Sequence, residues 1–423
     1  MDVGCYDKMK EAEVQTQGEF GVGPRVFSNT PLPENEFPQM FYKARTVIWL
    51  QVALLGVGYL ALNRDDSNPG VNRKFGVIIG ILIFLFVSAV HLPNSLYLSR
   101  PHPIFWRVLL GLSFVYMTCL LYLLFQNLSD SRDLFKLLDP KLGVPLPEKS
   151  YATECDLYTP NDPTSNFANL IDCIFDVHTL AHAIGWWFKM LIVRDVKLCM
   201  FLSIFFEFME ITLRHQLPNF WECWWDSLIM DFIICNGGGI YLGWLTCKVF
   251  QVKEYHWGMG ADGRSETQNF STLSRSAKQL TPYSWSVYNW DMFSSSKNFV
   301  ATIWYIIFVN LVDLSNFYLK FILWVPANHS LLLYRVIFWA FLAIAATREY
   351  YEYISSGFKI RLGSHCWMAH FLIGIEWFII LKHTPGLFSE SMPMWIQYTW
   401  SVIAGLLITI ALSLFYKDLN KSS

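Results

Sequence analysis

Charge is scarce in this chain. Asp, Glu, Lys and Arg make up 16% of its 423 residues, against about 25% in an ordinary soluble domain. With 53% hydrophobic and 17% aromatic residues, that shortage argues against a water-soluble domain and for one built around lipid. A net charge of −2 leaves no basic footprint for nucleic acid. The nine cysteines include no CxxC pair, so neither a zinc ribbon nor a redox motif is supported. No internal repeat is visible. The opening "MDVGCYDKMKEAEVQTQGEF" carries acids and lacks an apolar core, so it does not read as a cleaved signal peptide. The first span is therefore expected to act as its own signal anchor.

Long apolar runs are abundant. They predict an all-α, polytopic membrane protein with about ten transmembrane helices, near 46–62, 75–92, 105–125, 178–193, 196–213, 227–250, 298–320, 329–347, 365–382 and 394–416. The fourth run is interrupted by His178, His182 and Lys189. Two polar loops stand between runs, at 127–177 and 251–297. The organisation expected is a cytosolic segment 1–45, a single membrane domain 46–416 with its catalytic core at about 176–347, and a short cytosolic tail 417–423. Ten spans place both ends on one side. The loops on that side carry most of the Lys and Arg, so the positive-inside rule predicts cytosolic termini. The loop between the fifth and sixth spans then faces the lumen or exterior. Cys155 and Cys173 share that oxidising side, which permits a disulfide whose partners the sequence does not choose.

Against this apolar background, acids collect in one place. Glu207 and Glu210 lie three apart in "LCMFLSIFFEFMEITLRH" and share a helical face. The next stretch, "LPNFWECWWDSLIMDFIICNGGG", brings Glu222, Asp226, Asp231 and Asn236. Pro218 breaks the chain and Asn219 reads as a helix N-cap, with Glu222 three residues on as in a capping box. Glu222 and Asp226, four apart, are then expected on one face of the sixth span. Carboxylates near lipid cannot all stay charged without a partner. Protons would serve, as in a relay. So would a hard divalent cation, and calcium prefers carboxylate and carbonyl oxygens. No His or Cys stands at zinc spacing in the cluster. A plainer reading is that Glu222 only caps and Asp226 meets a neighbouring Arg.

"DVHTLAHAIGWW" puts His178 and His182 on one face. A neutral His takes a proton from an alcohol near pH 7, although a lone His is as easily a core or interfacial residue. His215 can simply complement a helix dipole. "CNGGG" reads either as close helix packing or as backbone approach to a ligand, and no GK[ST] follows to make it a P-loop.

Several stretches together resemble one family. "LPNFWECWWDSLIMDFIICNGGG", "RPHPIFWR" (100–107), "DPKLGVPLPEKSY" (139–151), "QLTPYSW" (279–285) and "ATREYYEY" (346–353) are similar to the eukaryotic phosphatidylserine synthases of the base-exchange type. The likeness runs from about residue 40 to 385. The "DPKLGVPLPE" loop resembles the branch that uses phosphatidylethanolamine more than the one that uses phosphatidylcholine. The resemblance implies calcium-dependent exchange of a phospholipid head group for L-serine, in the endoplasmic reticulum membrane, by a homodimer. It carries the functional positions onto His182, Glu207, Glu210, Asn219, Glu222, Asp226, Asp231 and Asn236. A product-feedback surface would fall on Arg100, Arg275, Gln279, Pro282 and Arg348.

The expected roles follow from the chemistry. His182 is the general base for the serine hydroxyl. Glu207, Glu210, Glu222 and Asp226 supply the metal ligands. Asn219, Asp231 and Asn236 hold substrate or orient oxygens. Rival classes fit less well. A CDP-alcohol phosphotransferase would need a DGxxARxxS…GxxxD…D pattern, which is not found. A membrane acyltransferase would use a buried His without clustered acids. A cation transporter would more often show broken helices in paired repeats.

Overall fold

The regular structure is helical throughout the described residues, with no strand among them. The computed structural model describes residues 44–63, 69–95, 97–98, 101–146, 155–160, 166–251, 287–388 and 390–422. The expectations for residues 1–43 and for Arg100, Arg275, Gln279 and Pro282 lie outside these. The helices are α1 (Ala44–Leu62), α2 (Pro69–His91), α3 (Pro103–Phe125), α4 (Leu128–Leu138), α5 (Ala168–Ile174), α6 (Val177–Val193) and α7 (Val196–Leu213). A π-helical segment (Asp226–Gly237) then runs straight into α8 (Gly238–Gln251), followed by α9 (Ser296–Leu323), α10 (Ser330–Ser355), α11 (Ser364–His383) and α12 (Met394–Ser422).

Each of the ten apolar runs is a helix, but helix length and composition do not confirm the expected count of ten spans. Among the described residues, seven helices are long and apolar enough to cross a membrane by length and composition. α1, α6 and α7 are not among the seven. α6 is only 17 residues long, and α7 carries Lys197, Glu207 and Glu210 in 18 residues. The acids that make α7 interesting are what remove it from the count.

Side-chain caps start these helices where the sequence turns polar. Asp176 accepts from the His178 amide, Asp195 from Leu198 and Ser295 from Asn298, each satisfying an otherwise orphaned donor. α6 and α7 are joined by Arg194 and Asp195 alone, with Arg194 in the left-handed region at φ 53°. A broad set of Leu, Ile, Val and Phe side chains on α2 and α12 points outward, including Val77, Leu82, Val402, Leu406 and Leu412. An apolar surface of that extent suits lipid contact.

α8 packs most extensively on α6, and two glycines set the distance. A Cβ at Gly239 would stand 2.5 Å from the Ala183 carbonyl oxygen and 2.8 Å from Trp186 Cβ. A Cβ at Gly243 would stand 2.6 Å from Met190 Cβ. Gly239 and Gly243, four apart, let the two backbones meet as small residues do in membrane helix pairs. Of the two readings of "CNGGG", close packing is the one that Gly239 takes. Gly238 meets nothing within 4 Å.

The loop before α5 is tied to the site by a disulfide between Cys155 and Cys223, 68 residues apart in sequence. Cys173 is a free thiol. The oxidised partner of Cys155 is thus the cysteine inside "ECWWD", which local sequence gave no reason to choose.

These contacts separate two neighbouring glycines. Gly239→Ala should destabilise the folded protein by about 1–3 kcal/mol, the usual cost of overpacking against backbone. Gly238→Ala should be neutral or slightly stabilising, since it meets open space and replaces a flexible residue. Thermal melting of the two variants in the same detergent checks this; equal melting points would contradict the packing described.

Candidate active site

Glu207 and Glu210 reach the site from the last two turns of α7. The chain then reverses through residues 214–225. His215 Nδ1 lies 2.9 Å from the Thr212 carbonyl oxygen, so His215 closes the end of α7, as a helix-terminal His is expected to. Arg214 donates to the Phe220 carbonyl oxygen at 3.2 Å. Pro218–Phe220 forms one 3₁₀ turn.

The expected capping box does not form here. Glu222 sits in irregular chain at 221–223, ahead of the helix that resumes at Trp224. Asn219 lies inside the 3₁₀ turn, with its Oδ1 buried and without a hydrogen-bond partner. Glu222 and Asp226 therefore do not share a helix face. The proline turn and the Cys155–Cys223 bridge hold this stretch out of the helix.

The π segment explains a spacing that an α-helix would waste. Asp226, Asp231 and Asn236 are five apart. At about 100° per residue, an α-helix would put successive members about 140° out of line. Hydrogen bonding from residue i to i+5 widens the turn and brings them closer to one face. Twelve residues of π-helix are unusual, since most occur as single turns, and such turns are frequent at functional sites.

Two chains of contacts organise the polar groups. In the first, Asn236 is fully buried and donates from Nδ2 to Glu207 Oε1 at 2.8 Å and to Ser203 Oγ at 3.0 Å. Ser227 Oγ reaches Glu207 Oε2 at 3.5 Å. Asn236 Oδ1 is buried without a hydrogen-bond partner. In the second, His182 Nδ1 stands 3.3 Å from Asp231 Oδ1. On the other side of the ring, the Trp186 indole N–H donates to His182 Nε2 at 3.1 Å. Asp231 is in turn a charged neighbour of Glu222. Burial first, and then the nearby Asp231 charge, push the Glu222 carboxyl up to about 9.

Asp226 has a different neighbour. The Cys173 thiol donates to Asp226 Oδ1 at 2.8 Å. Burial, followed by that carboxylate, pushes the thiol up to about 12, which keeps it protonated and unreactive. Lys189 on α6 pairs with Asp313 on α9 at 2.8 Å and lies 4.2 Å over the Trp186 ring. His178 faces outward against its own helix cap, Asp176, at 3.1 Å.

Among the described residues, no three His, Cys, Asp or Glu side chains converge on a point that would hold a metal ion. The donor set still suits a hard cation. It consists of the Glu207, Glu210, Glu222 and Asp226 carboxylates, with the partnerless Oδ1 atoms of Asn219 and Asn236 nearby in sequence. An all-oxygen set of this kind fits calcium and not zinc.

The structure brings His182, Asp231, Asn236, Glu207 and Glu222 into linked contacts. Glu210 is buried, with Glu222, Glu207 and Asp231 as its charged neighbours. Arg348 is elsewhere. It pairs with Glu352 at 2.5 Å and donates to the hydroxyl of Tyr288, over whose ring Arg194 lies. Arg194 ends α6 twelve residues after His182, about 18 Å along the helix. Sequence reasoning did not place Trp186, Asp313 or Ser203 at the site, and it named Cys173 only as a possible disulfide partner. Asp313 carried a signal, being an acid inside an apolar run. Trp186 carried none that set it apart among the 18 tryptophans.

Known proteins share this sequence along most of its length. The family model described as phosphatidyl serine synthase matches residues 101–384. The chain is 38% identical over 386 residues to a protein of Arabidopsis thaliana named CDP-diacylglycerol–serine O-phosphatidyltransferase 1, covering 89% of each chain. It is 37% identical over 372 residues to human phosphatidylserine synthase 2, covering 87% of this chain and 75% of the relative. It is 34% identical over 362 residues to zebrafish phosphatidylserine synthase 1, covering 85% and 75%. A polytopic helical scaffold, a His–Asp pair beside clustered carboxylates and likeness over this length lead to one assignment: the chain belongs to the phosphatidylserine synthase family and is a membrane-embedded transferase.

Proposed function

We propose that this chain makes phosphatidylserine by calcium-dependent head-group exchange, replacing the ethanolamine of phosphatidylethanolamine with L-serine. The observation that carries the proposal is the His182–Asp231 pair set among the acids of α7 and the π segment. Asp231 faces Nδ1, which leaves Nε2 as the atom able to take a proton. In the exchange, the serine hydroxyl gives its proton to Nε2 and its oxygen bonds to phosphorus. The bond from phosphorus to the ethanolamine oxygen breaks, and that oxygen receives the proton. One phosphate ester replaces another, so no nucleotide is consumed. Glu207, Glu210, Glu222 and Asp226 are the residues that would hold calcium, which when bound supplies positive charge against the lipid phosphate. Asn219 and Asn236 would orient oxygens, and Asp231 would keep the base in its working tautomer.

We place the protein in the endoplasmic reticulum membrane as a homodimer, with both termini cytosolic and the acids toward the lumenal leaflet. The Lys and Arg distribution supports that orientation. The Cys155–Cys223 disulfide supports it independently, because such bonds persist on the oxidising side. The feedback role for Arg348, Arg100, Arg275, Gln279 and Pro282 rests on family likeness.

A second reading concerns the donor. The Arabidopsis relative and a rice relative at 39% identity are named for CDP-diacylglycerol. This chain would then release CMP rather than ethanolamine. Purified protein in vesicles, given labelled serine and one donor lipid at a time, separates the cases. Ethanolamine release from phosphatidylethanolamine is expected. Dominant choline release would reassign the donor to phosphatidylcholine, and dependence on CDP-diacylglycerol with CMP release would establish the second reading.

Metal and base are tested separately. Activity should vanish in chelator and return with calcium; full activity in chelator, or rescue by zinc alone, would remove the metal assignment. His182→Gln should lower turnover by about 10²–10⁴-fold while folding and calcium binding survive. Asp226→Asn should weaken apparent calcium affinity and be partly restored by extra calcium. His178→Gln should be mild, since His178 faces outward against Asp176. Near-normal turnover in folded His182→Gln protein would overturn the base assignment.

Orientation has its own test. A single Cys introduced at 215–221 in an otherwise Cys-free protein should resist a membrane-impermeant thiol reagent in intact, correctly oriented microsomes. Labelling there would invert the topology.

A further inference from the structure

Exchange at a phosphodiester has a built-in competitor. Water reaches any site open to lipid head groups, and an imidazole that can deprotonate serine can deprotonate water. The balanced side reaction uses the same atoms: a water proton goes to His182 Nε2, the water oxygen bonds to phosphorus, the bond to the head-group oxygen breaks, and that oxygen takes the proton. The products are phosphatidic acid and the free amino alcohol.

The structure contains a device suited to blocking this. Both nitrogens of His182 are engaged, Nδ1 by Asp231 at 3.3 Å and Nε2 by the Trp186 indole at 3.1 Å. An indole N–H only donates. Nε2 must therefore present its lone pair to Trp186, and the atom needed for catalysis is covered. Trp186 lies one turn after His182 on α6, so helix spacing alone brings the two together. Its position is enforced from two sides. Gly239 of α8 packs against its Cβ, Lys189 sits over its ring, and Asp313 of α9 holds Lys189 in place. Trp186 is only 2% exposed. Since a large, rigid ring is held over one lone pair by three helices, its removal needs a nucleophile bound firmly enough to displace an indole hydrogen bond. Serine has an ammonium and a carboxylate with which to bind. Water has neither.

We propose that Trp186 is a positioning residue that keeps exchange from becoming hydrolysis, by covering His182 Nε2 until an amino alcohol displaces it. This rests on the reading of His182 as the base. It adds a determinant of nucleophile choice that lies outside the cluster of acids.

The test uses full-length protein in vesicles containing the donor lipid that supports exchange, with serine omitted. Phosphatidic acid and the released head group are measured. Two variants are compared with the native protein: Trp186→Phe, and Trp186 replaced site-specifically by β-(3-benzothienyl)alanine, which keeps the ring shape and lacks the N–H. Serine-free hydrolysis should rise about tenfold in the isostere, the worth of one hydrogen bond, and the ratio of hydrolysis to exchange should rise in both variants. Adding His182→Gln to Trp186→Phe should abolish the gained hydrolysis. Native-like hydrolysis in the folded isostere would overturn the proposal, as would a parallel fall of hydrolysis and exchange, which marks a residue that merely orients the ring. Gained hydrolysis that survives His182→Gln would instead overturn the base reading itself.

Discussion

Keeping carboxylates among apolar helices is the constraint on which the rest of this structure depends. An unpaired charge away from water is costly enough that most of the buried acids described here have a hydrogen-bonding partner. Two of them are fully served. Glu376, fully buried, accepts from the Tyr116 hydroxyl, the Trp339 indole and Arg335. Glu349 accepts from Ser95, from the Cys366 amide and from the His365 ring. These networks bind α3, α10 and α11 together, and their satisfaction marks them as structural.

The acids of α7 and the π segment are served differently. Glu207 relies on an amide and a serine hydroxyl and Asp226 on a thiol, while burial and the nearby Asp231 charge favour the protonated form of Glu222. No Arg or Lys is paired with any of these three in the described residues, whereas Arg335 is spent on Glu376 and Lys189 on Asp313. Two amide oxygens, on Asn219 and Asn236, are left over. Buried oxygens without cations are what a site must keep if positive charge is to arrive with a metal or with the ammonium of an amino alcohol.

Geometry makes this economical. The glycine contacts draw α8 onto α6, which sets His182 and Trp186 against the π segment. The disulfide and the Pro218–Phe220 turn hold Glu222 outside the helix, with Asp231 and Asp226 both among its charged neighbours. The Asp231 carboxylate, the His182 ring and the Trp186 indole form one line of polar groups drawn from the π segment and α6.

Much of this was legible in the residues alone. Apolar runs give every long helix, because lipid leaves a backbone few other ways to satisfy itself. The clustering of acids within such runs marks the candidate site, whereas the lone Glu376 in a run of the same kind serves the fold. Family motifs singled out His182, Glu207, Glu222, Asp231 and Asn236. Three features required the assembled chain. Local spacing predicted an α-helical face for Glu222 and Asp226, whereas the disulfide and the i to i+5 hydrogen bonding produced another arrangement, and neither is visible in a window of sequence. The partner of Cys155 lay 68 residues away. The cover on His182 Nε2 came from one tryptophan among 18. Composition and periodicity determine which residues must avoid water. Which of them end up facing each other is decided by how closely the helices approach, and that is set only once glycine, disulfide and ion pair act together.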